Sequence, residues 1–201
     1  MGIRAVLLDM DGTIWDSPVD WAEVRRRVGL GPDPYPILHH LRRLPPEQRE
    51  EKERVLLAAE AEGVARGRLA PGAVELLAWL RDRGVKTALV TNNSRTSLEA
   101  VLARHPLDFD RTFSREEIPL KPDPGAFLVP LAALGVLPGE ACVVGDSHLD
   151  LIAADRAGVA EVVLVSPREW MRPLFPDRGR FHEARDLWEV REILARLLGE
   201  G

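Results

Sequence analysis

Short runs of consecutive apolar residues alternate with amphipathic stretches of helical period along most of the chain. Four runs are rich in aliphatic residues and too short for helices, which predicts strands buried on both faces of a sheet: residues 5–8, 86–90, 141–144 and 162–165. The stretches between and after them have a 3.6-residue period that predicts helices over 73–83, 96–104, 124–134, 150–157 and 187–198. A shorter strand is predicted at 111–114, and residues 166–180 are predicted to be an irregular loop. Strands that alternate with helices predict a parallel sheet with right-handed crossovers.

The pattern changes between the first strand and residue 70. Here the apolar positions recur at helical spacing and strand signals are few, with helices predicted at 19–28, 37–44 and 46–66. We therefore predict two parts: an α/β core formed by residues 1–15 and 70–201, and a small all-helical insert of residues 16–69 that follows the first strand.

Polar residues follow three of the predicted strands at the point where each strand ends. Asp9 and Asp11 follow the first strand, Thr91 and Asn92 follow the second, and Asp146 follows the third. Because the carboxyl ends of parallel strands lie at one edge of a sheet, where ligands bind in open α/β folds, these side chains should converge.

The residue types at this edge are suited to phosphoryl transfer. Two neighbouring carboxylates resist ionising together unless a cation lies between them, and Mg²⁺ is the simplest such cation. Asp9 is a candidate nucleophile on phosphorus, and Asp11 is a candidate acid and base for the leaving oxygen and for water. Thr91, Asn92 and the later Lys121 are candidates to bind the phosphoryl oxygens.

Each of these residues also has a simpler interpretation. Residues 91–94 are the types that cap a helix, and a lysine before a proline is most often a solvated surface residue. Asp146 is a candidate cation ligand, and capping of the helix that follows is its simpler interpretation. Asp150, one helical turn later, is either a direct or an outer ligand. The occurrence of all of them in this order, each at a strand end or in the adjoining loop, favours the functional interpretation.

Four segments together resemble the motifs of the haloacid dehalogenase superfamily: Asp9-Met10-Asp11-Gly12-Thr13, Leu89-Val90-Thr91-Asn92-Asn93, Lys121-Pro122-Asp123-Pro124 and Gly145-Asp146-Ser147-His148-Leu149-Asp150. The resemblance implies a Rossmann-like core and an Mg²⁺-dependent phosphatase with an aspartyl-phosphate intermediate. By position it implies that Asp9 is the nucleophile and the Asp11 side chain the general acid and base. It also implies that Thr91 and Lys121 bind the phosphoryl group. The implied Mg²⁺ ligands are the Asp9 carboxylate, the Asp11 main-chain carbonyl and Asp146.

The helical insert is similar to the cap of the phosphoglycolate phosphatase and β-phosphoglucomutase branch of that superfamily. This similarity makes a small phosphorylated metabolite, with phosphoglycolate as the first candidate, the expected substrate. A lid that closes over the site would shield an acyl phosphate from water and hold the leaving group. Trp15, at the entry to the insert, is a candidate substrate contact, and packing is its alternative interpretation.

Composition excludes several other classes of protein. The net charge of -5 and the absence of a broad basic block argue against a nucleic-acid binder. No apolar stretch approaches the ~18 residues of a membrane span, and no targeting segment is evident, so a cytoplasmic location is expected. The single cysteine, Cys142, lies in an apolar run and is expected to be a buried hydrophobic residue. The sequence leaves monomer and homodimer open.

Other functions of the same residues remain in competition. A phosphomutase would use the same site but return the phosphoryl group to a sugar. A dehalogenase would not need Asp11, because a halide leaves without a proton. A phospho-accepting receiver switch would not carry a helical insert after its first strand, and a non-catalytic binding protein would not need the full set of catalytic residues.

Overall fold

The computed structural model of the chain describes residues 2–30, 36–105, 107–176 and 181–199. These residues form two compact units, one made of Met1–Asp16 with Leu69–Gly201 and the other of Ser17–Arg68. Each unit has its own buried core.

A six-stranded parallel sheet forms the centre of the first unit, with strand order β5-β4-β1-β6-β7-β8. Its strands are β1 Ala5–Leu8, β4 Lys86–Val90, β5 Arg111–Phe113, β6 Ala141–Gly145, β7 Glu161–Val165 and β8 His182–Ala184. Two further short strands, β2 Trp15–Asp16 and β3 Arg68–Leu69, form a separate two-stranded sheet. The central strands β1, β4 and β6 are almost completely buried, as expected for apolar strands covered on both faces.

Five helices accompany the sheet: α4 Ala73–Asp82, α5 Arg95–Arg104, α6 Gly125–Leu134, α7 His148–Ala157 and α8 Leu187–Leu197. Helices α6 and α7 pack against each other and place Phe127, Leu131 and Leu151 in a core with alternate residues of the central strands. Helices α4 and α8 contact each other, and they contact β4 and β7 respectively. The predicted parallel α/β fold is confirmed.

The second unit contains α1 Trp21–Arg27, α2 Ile37–Arg43 and α3 Pro46–Arg66. Asp20 caps α1, because its side chain accepts hydrogen bonds from the N–H groups of Ala22 and Glu23 at 2.9 and 3.0 Å. The small core of this unit comprises Val24, Val28, Leu41, Leu56 and Ala59.

The segment after β7 differs from the predicted loop. It contains a short 3₁₀ helix, Glu169–Leu174, and the chain then forms the edge strand β8; residues 177–180 of the predicted loop lie outside the described ranges. The sequence His182-Glu183-Ala184 has no apolar run, so the pattern gave no signal for a strand there. Within the described ranges, no helix combines the length and apolar character that crossing a bilayer requires.

Candidate active site

Three adjacent strands place the polar residues of the candidate site at one edge of the sheet. In register, Leu8 of β1 lies beside Leu89 of β4 and Val144 of β6. The ladder continues one residue further, where the Asp9 N–H donates to the Val144 carbonyl at 2.8 Å. The carboxyl ends of β1, β4 and β6 therefore bring the segments that begin at Asp9, Thr91 and Asp146 together.

A buried lysine links two of the carboxylates. Lys121 is 3% exposed and donates hydrogen bonds from Nζ to Asp9, to Asp150 at 2.7 Å and to the Val90 carbonyl at 3.2 Å. Although burial opposes the charged form of Lys121, the negative charges of Asp150 and Asp9 raise its pKa above the usual range. Lys121 is therefore a charged group of this site and not a solvated surface lysine.

Burial makes the ionised form of Asp9 costly. It raises the pKa of Asp9 well above the usual range, and the charges of Asp150 and Asp146 act in the same direction, whereas Lys121 opposes them. One lysine offsets only part of the repulsion among three carboxylates, so the arrangement favours an additional positive charge.

Three carboxylates can be bridged by one ion. Asp9, Asp146 and Asp150 each offer a side-chain oxygen, and these oxygens lie within 4.8 Å of one another. Burial and the neighbouring charge of Asp150 raise the pKa of Asp146 to about 7. Oxygen ligands at this spacing fit a hard divalent cation, which would relieve the repulsion.

Two glycines allow this close approach. A Cβ on Gly12, which has φ of +82°, would lie 2.2 Å from Oδ2 of Asp146. A Cβ on Gly145 would lie 2.4 Å from Cγ of Asp150. Any larger residue at either position would displace one of the carboxylates.

Asp11 is held by a different partner. Its Oδ2 accepts a hydrogen bond from Nδ2 of Asn93 at 3.0 Å. Burial raises the pKa of Asp11, and the Asn93 hydrogen bond and the charge of Lys121 oppose that rise. Asp11 thus combines a raised pKa with a fixed side-chain orientation, which are properties of a general acid.

In the segment after β4, Thr91, Asn92 and Ser94 make different hydrogen bonds. Thr91 is buried, and its Oγ1 accepts from the Asn93 N–H at 2.9 Å, which leaves the hydroxyl proton for another acceptor. Asn92 binds the Lys121 main chain twice: its Oδ1 accepts from the Lys121 N–H at 2.9 Å, and its Nδ2 donates to the carbonyl at 3.1 Å. Ser94 caps α5 by accepting from the Ser97 N–H at 3.2 Å. Helix capping therefore explains Ser94. Asn92 holds the Lys121 loop, and its contact with the phosphoryl oxygens stays a prediction.

Trp15 lies in the packing of its unit. The residue is fully buried, and its ring centroid lies 5.6 Å from that of His105, with the Arg104 guanidinium carbon 5.4 Å from the ring centroid. These contacts are those of a packing residue, and the substrate contact of Trp15 stays a prediction.

Asp150 and Asn93 take part in the site, although the sequence predicted a role only for Asp150, as a direct or outer cation ligand. Asp150 is 1% exposed, binds Lys121 and accepts from the N–H and hydroxyl of Ser147 at 3.2 and 2.6 Å. Asn93 received no separate role, although it contacts Asp11. The position of Asp150 one helical turn after Asp146 was the signal that predicted it; no local signal distinguished Asn93 from Asn92.

Comparison with known proteins identifies the family of the chain. A family model described as haloacid dehalogenase-like hydrolase matches residues 18–158. The chain belongs to the haloacid dehalogenase-like hydrolases. The predicted family and the prediction of an enzyme of hydrolase type are confirmed.

The chain is also similar to individual proteins in sequence and in fold. A haloacid dehalogenase-like hydrolase domain-containing protein of Arabidopsis thaliana is 30% identical, over 81% of this chain and 71% of that protein. Phosphoglycolate phosphatase 1 of Pseudomonas aeruginosa is 29% identical, over 85% and 72% of the two chains. The crystal structure of a hydrolase from Pseudomonas syringae has the same fold, with a TM-score of 0.74 at 23% identity and coverage of 96% of this chain and 98% of that one.

Proposed function

We propose that this haloacid dehalogenase-like hydrolase is an Mg²⁺-dependent phosphatase that hydrolyses a small-molecule phosphate monoester through a phosphorylated Asp9. The observation that carries the proposal is the buried ion cluster, in which Lys121 bonds to both Asp9 and Asp150 beside the Asp146 carboxylate. Phosphoryl transfer depends mainly on positioning and charge neutralisation, and this cluster supplies both.

In this proposal Asp9, Asp146 and Asp150 would hold Mg²⁺ directly or through water, which their side-chain oxygens, within 4.8 Å of one another, support. The family resemblance adds the Asp11 main-chain carbonyl as a further ligand. Bound Mg²⁺ would supply positive charge to the carboxylates and to the phosphoryl oxygens.

The reaction then uses the chain's own residues in two steps. An Asp9 oxygen forms a bond to phosphorus as the ester P–O bond breaks, and the proton of Asp11 passes to the departing oxygen. In the second step Asp11 takes a proton from water, whose oxygen attacks phosphorus and releases Asp9 and inorganic phosphate. Lys121 and the Thr91 hydroxyl hold the phosphoryl oxygens in both steps, and Asn92 keeps the Lys121 loop in place.

For the substrate, we propose a small phosphorylated metabolite of the phosphoglycolate type. The support is the resemblance of residues 16–69 to the cap of that branch and the similarity of the chain to a protein named phosphoglycolate phosphatase 1. In this proposal the helical unit is the cap that selects the leaving group.

The test is phosphate release from a panel of phosphate monoesters by wild type and Asp9→Asn, with Mg²⁺ and with chelator. Release is expected to require both Mg²⁺ and Asp9, because an amide is a poor nucleophile. Asp155→Asn is the matched control, since Asp155 is exposed on α7 and outside the cluster. Near-normal turnover by Asp9→Asn would rule out the covalent route. A stable phosphorylated Asp9 without phosphate release would instead favour a mutase or a switch.

A further inference from the structure

The Asn93 side chain is built into the site in one orientation. Asn93 is 6% exposed, and its Oδ1 accepts a hydrogen bond from the Ser94 N–H at 2.8 Å. A main-chain N–H can only donate, so Oδ1 has to face Ser94. The other end of the amide, Nδ2, is therefore directed at Oδ2 of Asp11, 3.0 Å away.

The main chain of Asn93 is also held by two hydrogen bonds. Its N–H donates to Thr91 Oγ1 at 2.9 Å, and its carbonyl accepts from the Arg115 N–H at 3.2 Å. The start of α5 does not need the Asn93 side chain, because Ser94 provides the cap. Helix capping thus does not explain why Nδ2 is aimed at Asp11.

We propose that Asn93 is the positioning residue of the general acid Asp11. This inference rests on the proposed phosphatase function. The carbonyl oxygen of a protonated carboxyl group is a better acceptor than its hydroxyl oxygen, so a donor on Oδ2 favours the transferable proton of Asp11 on Oδ1, and the same bond fixes the rotation of the carboxyl group. When Asp9 displaces the ester oxygen, the proton on Oδ1 moves to that oxygen, which departs as an alcohol.

A positioning role has a consequence that a purely structural role lacks. An alkoxide leaving group needs a proton as the P–O bond breaks, whereas a nitrophenolate departs without one. Loss of the Asn93 amide should therefore slow formation of the aspartyl phosphate from an alkyl ester and spare its formation from a nitrophenyl ester.

The experiment measures this first step by rapid quench for wild type and Asn93→Ala with Mg²⁺. The two probes are phosphoglycolate and p-nitrophenyl phosphate. General acids contribute about 10²–10⁴-fold to such steps, so partial loss of positioning should slow the phosphoglycolate reaction at least about tenfold and the nitrophenyl reaction by no more than about twofold. The burst of nitrophenolate counts the correctly folded sites in each preparation, so a partly unfolded variant still gives a valid rate per site.

Ser94→Ala is the matched control. It removes the cap hydrogen bond of α5 from the same loop but keeps the Ser94 N–H that binds Asn93, so both esters should react as in wild type. Equal slowing of both esters by Asn93→Ala, or no slowing of either, would overturn the positioning role. Failure of wild type to hydrolyse either ester would refute the phosphatase proposal itself, and this inference with it.

Discussion

The carboxylate cluster makes a specific prediction for the protein without metal: Asp146→Asn should be more stable than wild type at alkaline pH. Burial, followed by the charge of Asp150, raises the pKa of Asp146 to about 7 from an ordinary value of 3.8. When the pKa of a carboxyl group is higher in the folded state than in the unfolded state, the folded state binds the proton more tightly, and protonation therefore favours folding. That contribution is complete below pH 3.8 and is lost as the pH rises to 7, because the unfolded chain gains more from ionising. An amide at this position resembles the protonated acid and never loses the contribution.

The magnitude follows from the size of the shift. About three pKa units at 1.36 kcal/mol each set a ceiling of about 4 kcal/mol, and partial solvent exposure of Asp146 reduces this to about 2 kcal/mol. The advantage of the variant should grow from about 1 kcal/mol at pH 5 to about 2 kcal/mol at pH 8. For a chain of this length, the pH 8 value corresponds to a rise in Tm of roughly 4–8 °C.

The assay is thermal or urea denaturation in chelator at pH 5 and pH 8, repeated with Mg²⁺. Ligand binding to the folded state raises stability by mass action, so Mg²⁺ should stabilise wild type and have a much smaller effect on Asp146→Asn. Asp155→Asn, on the exposed side of α7, should show neither effect. A variant no more stable than wild type at pH 8 in chelator, or an advantage independent of pH, would refute the reasoning.

Two further substitutions test how the cluster is held together. Lys121→Met should destabilise the protein by about 3–5 kcal/mol near neutral pH, because it leaves Asp9 and Asp150 buried without their lysine partner; urea denaturation checks this, and a loss below about 1 kcal/mol would contradict the buried ion pair. Gly145→Ala should lower phosphatase activity and cost about 1–3 kcal/mol, because the new methyl group would lie 2.4 Å from Cγ of Asp150. Gly139→Ala is the control for the glycine, since a Cβ there meets no atom within 4 Å, and equal effects of the two substitutions on phosphate release would refute the steric argument.

Much of the fold was predictable because its strands are short aliphatic runs with polar residues directly after them. The runs at 5–8, 86–90 and 141–144 identify central strands by composition, and parallel connectivity then places their carboxyl ends at one edge. Strand β8 has no such signal, since an edge strand of three residues is defined by its pairing with β7 and not by its own sequence.

The division of roles within the site was less predictable. Asn92 and Asn93 are adjacent and identical in type, yet one binds the Lys121 main chain and the other binds Asp11. These partners lie 29 and 82 positions away in sequence, so only the folded arrangement separates the two asparagines. Trp15 illustrates the same difficulty, because its position beside the acidic motif predicts a substrate contact, whereas the folded chain shows a buried side chain that packs against His105.

The glycines of the site connect its geometry to its stability. Asp9, Asp146 and Asp150 approach within 4.8 Å because Gly145 leaves room for Asp150 and Gly12, with its positive φ, leaves room for Asp146. Burial raises the pKa values of Asp9 and Asp146, and the same approach of the carboxylates acts in that direction, so the fold without metal retains a repulsion that Lys121 offsets only in part. An arrangement that destabilises the empty site strengthens the binding of a cation there, since binding relieves the repulsion. The acidic residues supply the charge, and the glycines determine how closely that charge is concentrated.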